Sequence, residues 1–338
     1  MPSNVSVIIP VYNAAAFVRQ AVYSALSARG VWEVLLIEDG SADGSMAVCE
    51  ALERENDRVW LFQHLGGRNL GAGMSRNVGI EKARCLFIAF LDADDYYLPH
   101  RFERALLLLE SNPAVDGVYE AVGTQFDNEE MRTWWSETRP GNLTTLSGPV
   151  APTDLLSTLC GFGPQSGWFH TNGITVRRSL FARTGPFPSE LRMSQDSAMW
   201  LKMAAVGSLV AGSLTEPVAV RRLHGQNRIF LNQGEQHENC NRLASYHVLA
   251  WASKAHLDAR VIRPLLGNYL RFARKDRMQR RGSKRCSLRD LPELLRLGFR
   301  IPQAFKDERY RRQLLGCLGA DALRHGVGVL RRKLSRGP

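Results

Sequence analysis

Short apolar runs alternate with stretches of helical periodicity along the first hundred residues. Val5 to Ile9 (VSVII) is a β-rich run stopped by Pro10, and Ala14 to Ala28 carries apolar residues at helical spacing. Glu33 to Ile37 (EVLLI) reads as a second buried strand, ending at Glu38-Asp39-Gly40, and Asp43-Gly44-Ser45 starts a helix that MAVCEALERE continues. Arg58 to Phe62 gives a third strand and Gly71 to Ala83 a third helix. The stretch Leu86 to Pro99, LFIAFLDADDYYLP, opens as a continuous apolar run and ends in charge, which fits a strand buried on both faces. Strand and helix in alternation predict a parallel sheet covered on both sides, with ligands outside the carboxyl ends of its strands. The clusters Pro10-Val11-Tyr12-Asn13, Glu38-Asp39-Gly40-Ser41 and Asp92-Ala93-Asp94-Asp95 all fall at such ends, so they are expected to converge on one cleft.

Further along, Asp116 to Val122 reads as another strand. Periodicity is lost from Gly123 to Leu155, a long irregular insert of the kind that often serves as a lid or binding loop. Asn172 to Val176 returns to strand character, Arg178 to Arg183 and Ser194 to Val206 read as helices, and Pro217 to Val220 is a last short strand before Arg221-Arg222-Leu223-His224-Gly225-Gln226-Asn227. Beyond Gly234 the pattern is helical, broken at Gly282-Ser283 and Pro302.

Side chains alternate along an extended chain, so Asp92 and Asp94 are expected on one side and Asp95 on the other. Two carboxylates at a strand end suit a divalent cation that also holds phosphate oxygens. The alternative is a solvated turn in which Asp95 caps a helix opened by Pro99.

Charge changes the picture more than composition does. The 338 residues include 44 Lys and Arg against 33 Asp and Glu, but from Arg260 onward the count is 22 against 6, a net of +16, leaving −5 for the body before it. Six scattered cysteines form no C-x-x-C pair, which argues for reduced core thiols and against a zinc site. The opening MPSNVSVIIPVYN shows no basic leader and no long apolar segment, so neither a signal peptide nor a spanning helix is expected, and the location expected is cytoplasmic.

Seven segments in series, SVIIPVYN, VLLIEDGSADGS, NLGAGMSRNVGI, FIAFLDADD, NGITVRRSLFARTGPF, QDSAMW and RRLHGQN, resemble the family 2 glycosyltransferases over roughly Val5 to Asn227. The resemblance implies an α/β fold of the GT-A type, a Rossmann-like, mostly parallel sheet flanked by helices, with a C-terminal helical extension. It divides the chain into a catalytic domain over 1–233, with a donor half to about 122 and an acceptor half over 123–233, and a basic helical region over 234–338. It implies inverting transfer of a sugar from a nucleotide diphosphate sugar, usually uridine-linked, to a saccharide or lipid-linked acceptor of a surface or extracellular glycan, assisted by Mn2+ or Mg2+.

Carried over position by position, the resemblance sets Pro10, Tyr12, Asp39, Asn69, Arg76, Asp92 and Ala93 beside the nucleotide-sugar, and Asp94 with His224 on the cation or diphosphate. A carboxylate such as Asp39 accepts hydrogen bonds from an imide N–H or a sugar hydroxyl, and it can equally cap a loop before Gly40. Arg76 can reach an anionic or ribose oxygen, or pair with one of the aspartates. Asp196 is the candidate base, with helix capping as its alternative. The chain departs from the family here: Gln195 stands where a first acid is usual, and Lys202 where arginine is commoner. Trp168, Asn172 and Gln195 are the acceptor-side candidates, with Phe169, Trp134 and Trp135 as further sugar platforms or simply core. Two rivals remain, a catalytically silent nucleotide-sugar or glycan binding scaffold and a nucleotidyl transferase, which would release pyrophosphate.

The runs Arg271-Phe272-Ala273-Arg274-Lys275, Arg280-Arg281 and Arg331-Arg332-Lys333 sit among apolar residues at helical spacing. That combination suits either an anionic membrane surface, at about 1 kcal/mol per basic residue, or a bundle packed on the catalytic body; no nucleic-acid module is recognised. Sedimentation with anionic liposomes at low salt separates the two, since a surface-binding region pellets with the vesicles and a packed one leaves the protein in the supernatant.

Overall fold

The computed structural model describes residues 5–138, 141–227 and 235–281, with the side chains of residues 138, 235–238 and 274–281 left aside. One compact unit ends at Leu231 and a second begins at Asn232.

The first unit starts with β1 (Val5–Val11), α1 (Val18–Ser27), β2 (Val31–Glu38), α2 (Ser45–Glu55), β3 (Val59–Gln63), α3 (Ala72–Lys82) and β4 (Phe87–Phe90). These are the elements the hydrophobic pattern predicts, with most ends moved by a residue or two and α1 beginning at Val18 rather than Ala14. The main change is at Pro10, which lies inside β1 rather than ending it. Val11 O accepts from Asp39 N on the β2 side, while Ile8 O accepts from Leu91 N on the β4 side. Pro10 therefore faces the β4 side, where β4 has already ended, and its missing N–H costs no ladder bond.

Then come β5 (Tyr96–Tyr97), α4 (Glu103–Ser111), β6 (Gly117–Tyr119), β7 (Val122–Phe126), α5 (Glu129–Thr138), β8 (Leu143–Thr144), α6 (Pro152–Leu159), β9 (Ile174–Arg177), α7 (Phe181–Thr184), α8 (Gln195–Val206), β10 (Leu209–Ala211) and β11 (Ala219–Leu223). The larger sheet runs β10-β6-β9-β4-β1-β2-β3 and is parallel except for β9, which is antiparallel to both β4 and β6. Its central strands are buried on both faces: Val5, Val7, Ile8 and Ile9 of β1 and all of β4 are inaccessible or nearly so. That explains the unbroken apolar runs. On one side α1 buries the stripe Val18, Ala21, Val22 and Ala25.

A second, smaller sheet, β5-β11-β7-β8, is not foreseen by the pattern. The strand expected over Asp116 to Val122 is two strands, β6 in the large sheet and β7 in the small one, with the chain crossing at Glu120-Ala121. The insert from Gly123 to Leu155 is also more regular than expected, since it contains nearly all of β7, then α5, β8 and the first half of α6. The start of α5 was legible: Asn128 Oδ1 accepts from Met131 N at 2.9 Å, and Glu129 and Glu130 fill the first turn. Trp135 is 2 % exposed, its indole N–H donating to Gly141 O, so it belongs to the core and is no sugar platform.

In the second unit α9 (Glu235–Lys254) and α10 (Ala259–Arg281) pack on each other, with Asn268 Nδ2 donating to Ser245 Oγ at 2.9 Å in a buried bridge. No described helix is long and apolar enough to cross a membrane. Arg331-Arg332-Lys333, Gly282-Ser283 and Pro302 lie outside the described residues, as do the side chains of Arg274, Lys275, Arg280 and Arg281.

Helix α3 lies close on β1 because Gly79 carries no side chain; a Cβ there would come 2.3 Å from Ile8 Cγ2. Gly79→Ala should force Ile8 or the helix to move and destabilise the protein by about 1–3 kcal/mol, measured as a shift in the urea unfolding midpoint.

Candidate active site

The carboxyl ends of β1, β2, β4 and β11, the start of α3 and the loop entering α8 surround a cavity of about 710 Å³. Pro10, Tyr12, Asp39, Arg76 and all of Asp92 to Asp95 line it, as do Gln195, Asp196 and His224. The three polar clusters from separate strand ends thus meet in one cleft.

Strand β4 ends at Phe90, two residues before the first aspartate, so alternation along a strand does not govern the acidic segment. Asp95 N donates to Asp92 O at 3.0 Å and closes a turn. As a result Asp95 does not point away: it is 4 % exposed and faces the same cavity as Asp92 and Asp94. Nor is it a solvated helix cap. Its Oδ1 accepts from Arg222 N at 2.8 Å and its Oδ2 from Asn172 Nδ2 at 2.6 Å. Burial, with the charges of Asp94 and Asp92 beside it, raises the Asp95 carboxyl well above the usual range.

Asp92 behaves differently. Desolvation, the largest single influence, acts to raise its carboxyl, but the Arg76 guanidinium, Nη2 to Oδ1 at 2.7 Å, together with the charges of His170 and Arg221 outweighs it and holds the carboxyl below the ordinary value. The Nε and Nη1 of Arg76 are buried with no hydrogen-bond partner among the described residues. Asp94 Oδ2 lies 3.1 Å from His224 Nε2 and 3.0 Å from Asn227 Nδ2, and the His224 ring stacks on Phe17 at 4.8 Å between centroids.

These groups fit a divalent cation. Asp94 and His224 bring a carboxylate oxygen and an imidazole nitrogen to one spot, a donor pair suited to Mn2+, and the many carboxylates around them favour hard ions. Asp92, Asp95 and His170 form a second group whose possible ligand atoms all lie within 4.8 Å of one another. His170 is a residue sequence reasoning missed. It sits before a short turn of helix with no strand end or spacing to mark it, and the fold alone brings it to the aspartates.

Asp39 is 1 % exposed, and its carboxylate accepts from the backbone of the Asn69-Leu70-Gly71 loop, Leu70 N at 2.7 Å and Gly71 N at 2.9 Å. The turn through Gly40 is capped by Glu38 instead, which accepts from Gly40 N and Ser41 N. Asn69 lies outside the cavity lining; its Nδ2 donates to Asp39 O and its Oδ1 accepts from Arg192 Nη1 at 2.9 Å.

On the far wall Asp196 occupies the first turn of α8, where its Oδ1 accepts only from Ser197 N, so it caps nothing in the usual i to i+2 or i+3 sense. Gln195 is 7 % exposed and packs over Gly73, whose added Cβ would lie 2.9 Å from Gln195 Cγ. Lys202 donates to Pro186 O within the same domain.

Two expected acceptor contacts are corrected. Asn172 is inaccessible and lies outside the lining; it accepts from Asp92 N at 3.0 Å while donating to Asp95, so it positions the acidic turn. Trp168 also lies outside the lining, stacked on Phe169 at 6.2 Å, and Phe169 is core at 1 % exposure. Trp134 is tilted against Trp135 and does not reach the cavity.

Residues 6–160 match the profile of Glycosyl transferase family 2. An uncharacterized glycosyltransferase of Rickettsia bellii is 26% identical over 245 residues, 72% of this chain and 32% of that protein, so the chain spans about a third of that relative's length. The uncharacterized glycosyltransferase alr2836 of Nostoc sp. is 29% identical over 228 residues, 66% of each chain. Among solved structures, S. aureus TarS 1–349 in complex with UDP-GlcNAc superposes with a TM-score of 0.61 at 17% identity, covering 98% of this chain and 92% of that one. At that identity the likeness shows the fold, which is of the GT-A type.

Replacing Asn172 by Ala removes two hydrogen bonds from a dry site, one of them to a carboxylate. We expect a loss of about 2 kcal/mol in urea unfolding together with weaker Mn2+ binding by calorimetry; a residue that touched only acceptor would leave both unchanged.

Proposed function

We propose that the chain is a metal-assisted, inverting transferase of the glycosyl transferase family 2 type that takes a sugar from a uridine diphosphate sugar, a reading supported by the match of residues 6–160 to that family's profile. The acceptor is a saccharide or lipid-linked saccharide of a surface or extracellular glycan. The reaction runs on the cytoplasmic side, with the basic C-terminal region resting on the inner face of the membrane. The observation that carries this reading is that Asp94 and Asp196, 102 positions apart in the chain, line the same cavity. The bound UDP-GlcNAc of the TarS structure supports the choice of donor class.

Tyr12, exposed at the end of β1, and the Asp39 loop form the part of the cavity that receives the nucleoside. Arg76 brings its unpartnered nitrogens toward donor oxygens while it holds Asp92 in place. Asp94 and His224 would hold a divalent cation, which when bound would supply positive charge against the departing diphosphate, an effect worth several kcal/mol. Asp196 takes the proton of the acceptor hydroxyl as its oxygen bonds to the anomeric carbon. The bond from that carbon to the diphosphate breaks on the opposite face, the nucleoside diphosphate leaves with the electron pair, and the configuration inverts. Gln195 is uncharged, so a single carboxylate serves this step on the far wall.

UDP-GlcNAc is the first donor to test, with UDP release as the readout. Asp196→Asn should cut turnover by about 10²- to 10⁴-fold and leave UDP binding intact. A binding scaffold would bind UDP and show no turnover in either form, while release of pyrophosphate in place of UDP would identify nucleotidyl transfer.

A further inference from the structure

Six aspartates and three arginines line the cavity, yet of these arginines only Arg76 forms an ion pair with any of those aspartates. Arg192 spends its hydrogen bonds on neutral oxygens, the Oδ1 and backbone O of Asn69. Arg221 makes no hydrogen bond or ion pair among the described residues; its guanidinium lies 5.7 Å from the centroid of the Trp135 ring. In a cavity so rich in carboxylates, a mobile arginine would be expected to collapse onto one of them. Here Asn69 engages one guanidinium and the Trp135 ring lies beside the other; neither forms an ion pair with a carboxylate, although the charge of Arg221 is felt at Asp92 and helps to keep that carboxyl low.

Their placement differs from that of Arg76. Arg192 stands four residues ahead of Asp196 on the loop entering α8, and Arg221 is on β11, so both come from the half of the chain that supplies the candidate base. That half contributes no Phe, Tyr or Trp to the lining; the aromatic rings there are Tyr12 and Phe17 from the donor half. A neutral glycan would be gripped by aromatic faces and amides. Two guanidinium forks without a carboxylate partner instead suit an anionic oxygen group, which they bind through charge-assisted hydrogen bonds.

We propose that Arg192 and Arg221 form the anion-binding part of the acceptor site, and that the acceptor carries a phosphate or carboxylate close to the hydroxyl it offers. The assignment rests on the transferase reading above, with the donor diphosphate anchored at Asp94. The acidic wall receives the donor with its cation, the basic wall receives a negatively charged acceptor, and the opposite polarity of the two walls sets which substrate lies where.

The test titrates the full-length protein, first with UDP in the presence of Mn2+ and then, with UDP saturating, with inorganic phosphate, methyl glucuronide and methyl glucoside in turn, followed by calorimetry and phosphorus NMR. The expected result is that phosphate or the glucuronide binds to the UDP-loaded protein and the glucoside does not, the tighter anion telling phosphate from carboxylate. The double variant R192Q/R221Q should weaken that anion at least about tenfold, with the affinity for UDP held within about twofold, which also shows that the variant is folded. R192K/R221K keeps the charges and should recover part of the loss. Competition between UDP and the anion would assign both arginines to the donor diphosphate and overturn the proposal, as would binding of the glucoside alone or of none of the three. Failure of UDP itself to bind would instead sink the donor reading on which the proposal stands.

Discussion

Three carboxylates within four residues share one cavity, and the site exists only because each has its own source of compensation. Two like charges about 4 Å apart repel by about 4 kcal/mol at the effective dielectric of a protein surface, so Asp92, Asp94 and Asp95 would drive the turn open if left alone. Arg76 neutralises Asp92, His224 and Asn227 attend Asp94, and Asp95 is held by the Arg222 amide and the Asn172 side chain. The pattern has a direction. The carboxylate with a full cation stays charged most easily, and the one with only amides is the one whose carboxyl is pushed up. A divalent cation would relieve the same repulsion, which is why an acidic turn of this kind is also a good ion site.

Every compensating group comes from a distant part of the chain, and the sheet topology is what delivers them. Arg76 arrives on α3, packed against β1 at Gly79. Asn172 arrives just ahead of β9, the strand that runs antiparallel between β4 and β6, so its side chain lies against the end of β4. Below it Arg101 is completely buried, donating to the carbonyls of Asn172 and Ile174 and pairing with Glu120 at 3.0 Å. Removing one member of such a pair leaves an isolated charge in a dry core, at a cost of about 3–5 kcal/mol. The pair therefore fastens the segment that fastens the acidic turn. The small sheet contributes the rest: β11 carries Arg221 and Arg222 and leads straight into His224 and Asn227.

The two walls of the cavity also differ in how they are built. The donor wall comes from strand ends and the start of a helix, where backbone geometry is narrowly determined, and Asp39 there is held from two sides: its amide donates to Val11 O of β1, and its carboxylate and carbonyl accept from the Asn69-Leu70-Gly71 loop. The opposite wall combines the loop that enters α8, the first turn of α8 and an edge of β11, with Ser194 in a left-handed conformation where the loop meets the helix. Asp196 accepts a single hydrogen bond there, from its neighbour's amide. A scaffold of this kind keeps the donor and cation side constant while the acceptor side is free to vary.

What the sequence determined by itself was local: the unbroken apolar runs of β1, β2 and β4, the helical stripes between them, and the polar clusters at the ends of those strands. Period and propensity act over a few residues, and the rule that strand ends of a parallel sheet share an edge carries those clusters to one place. Only the tertiary structure decided which side chains face the cavity. Asp95 turned inward because the strand had already ended and alternation no longer applied. Asn172 went beneath the acids rather than into the cavity, Trp135 and Phe169 went into the core, and His170 entered the site with no local mark at all. The small sheet was hidden for the same reason, since β5 and β8 are two residues long and hold their shape only through partners far away in the chain. Short-range patterns report the energy of a residue against its neighbours; the direction of a side chain in a turn, and the partner it finds, depend on surfaces supplied by residues that no local window contains.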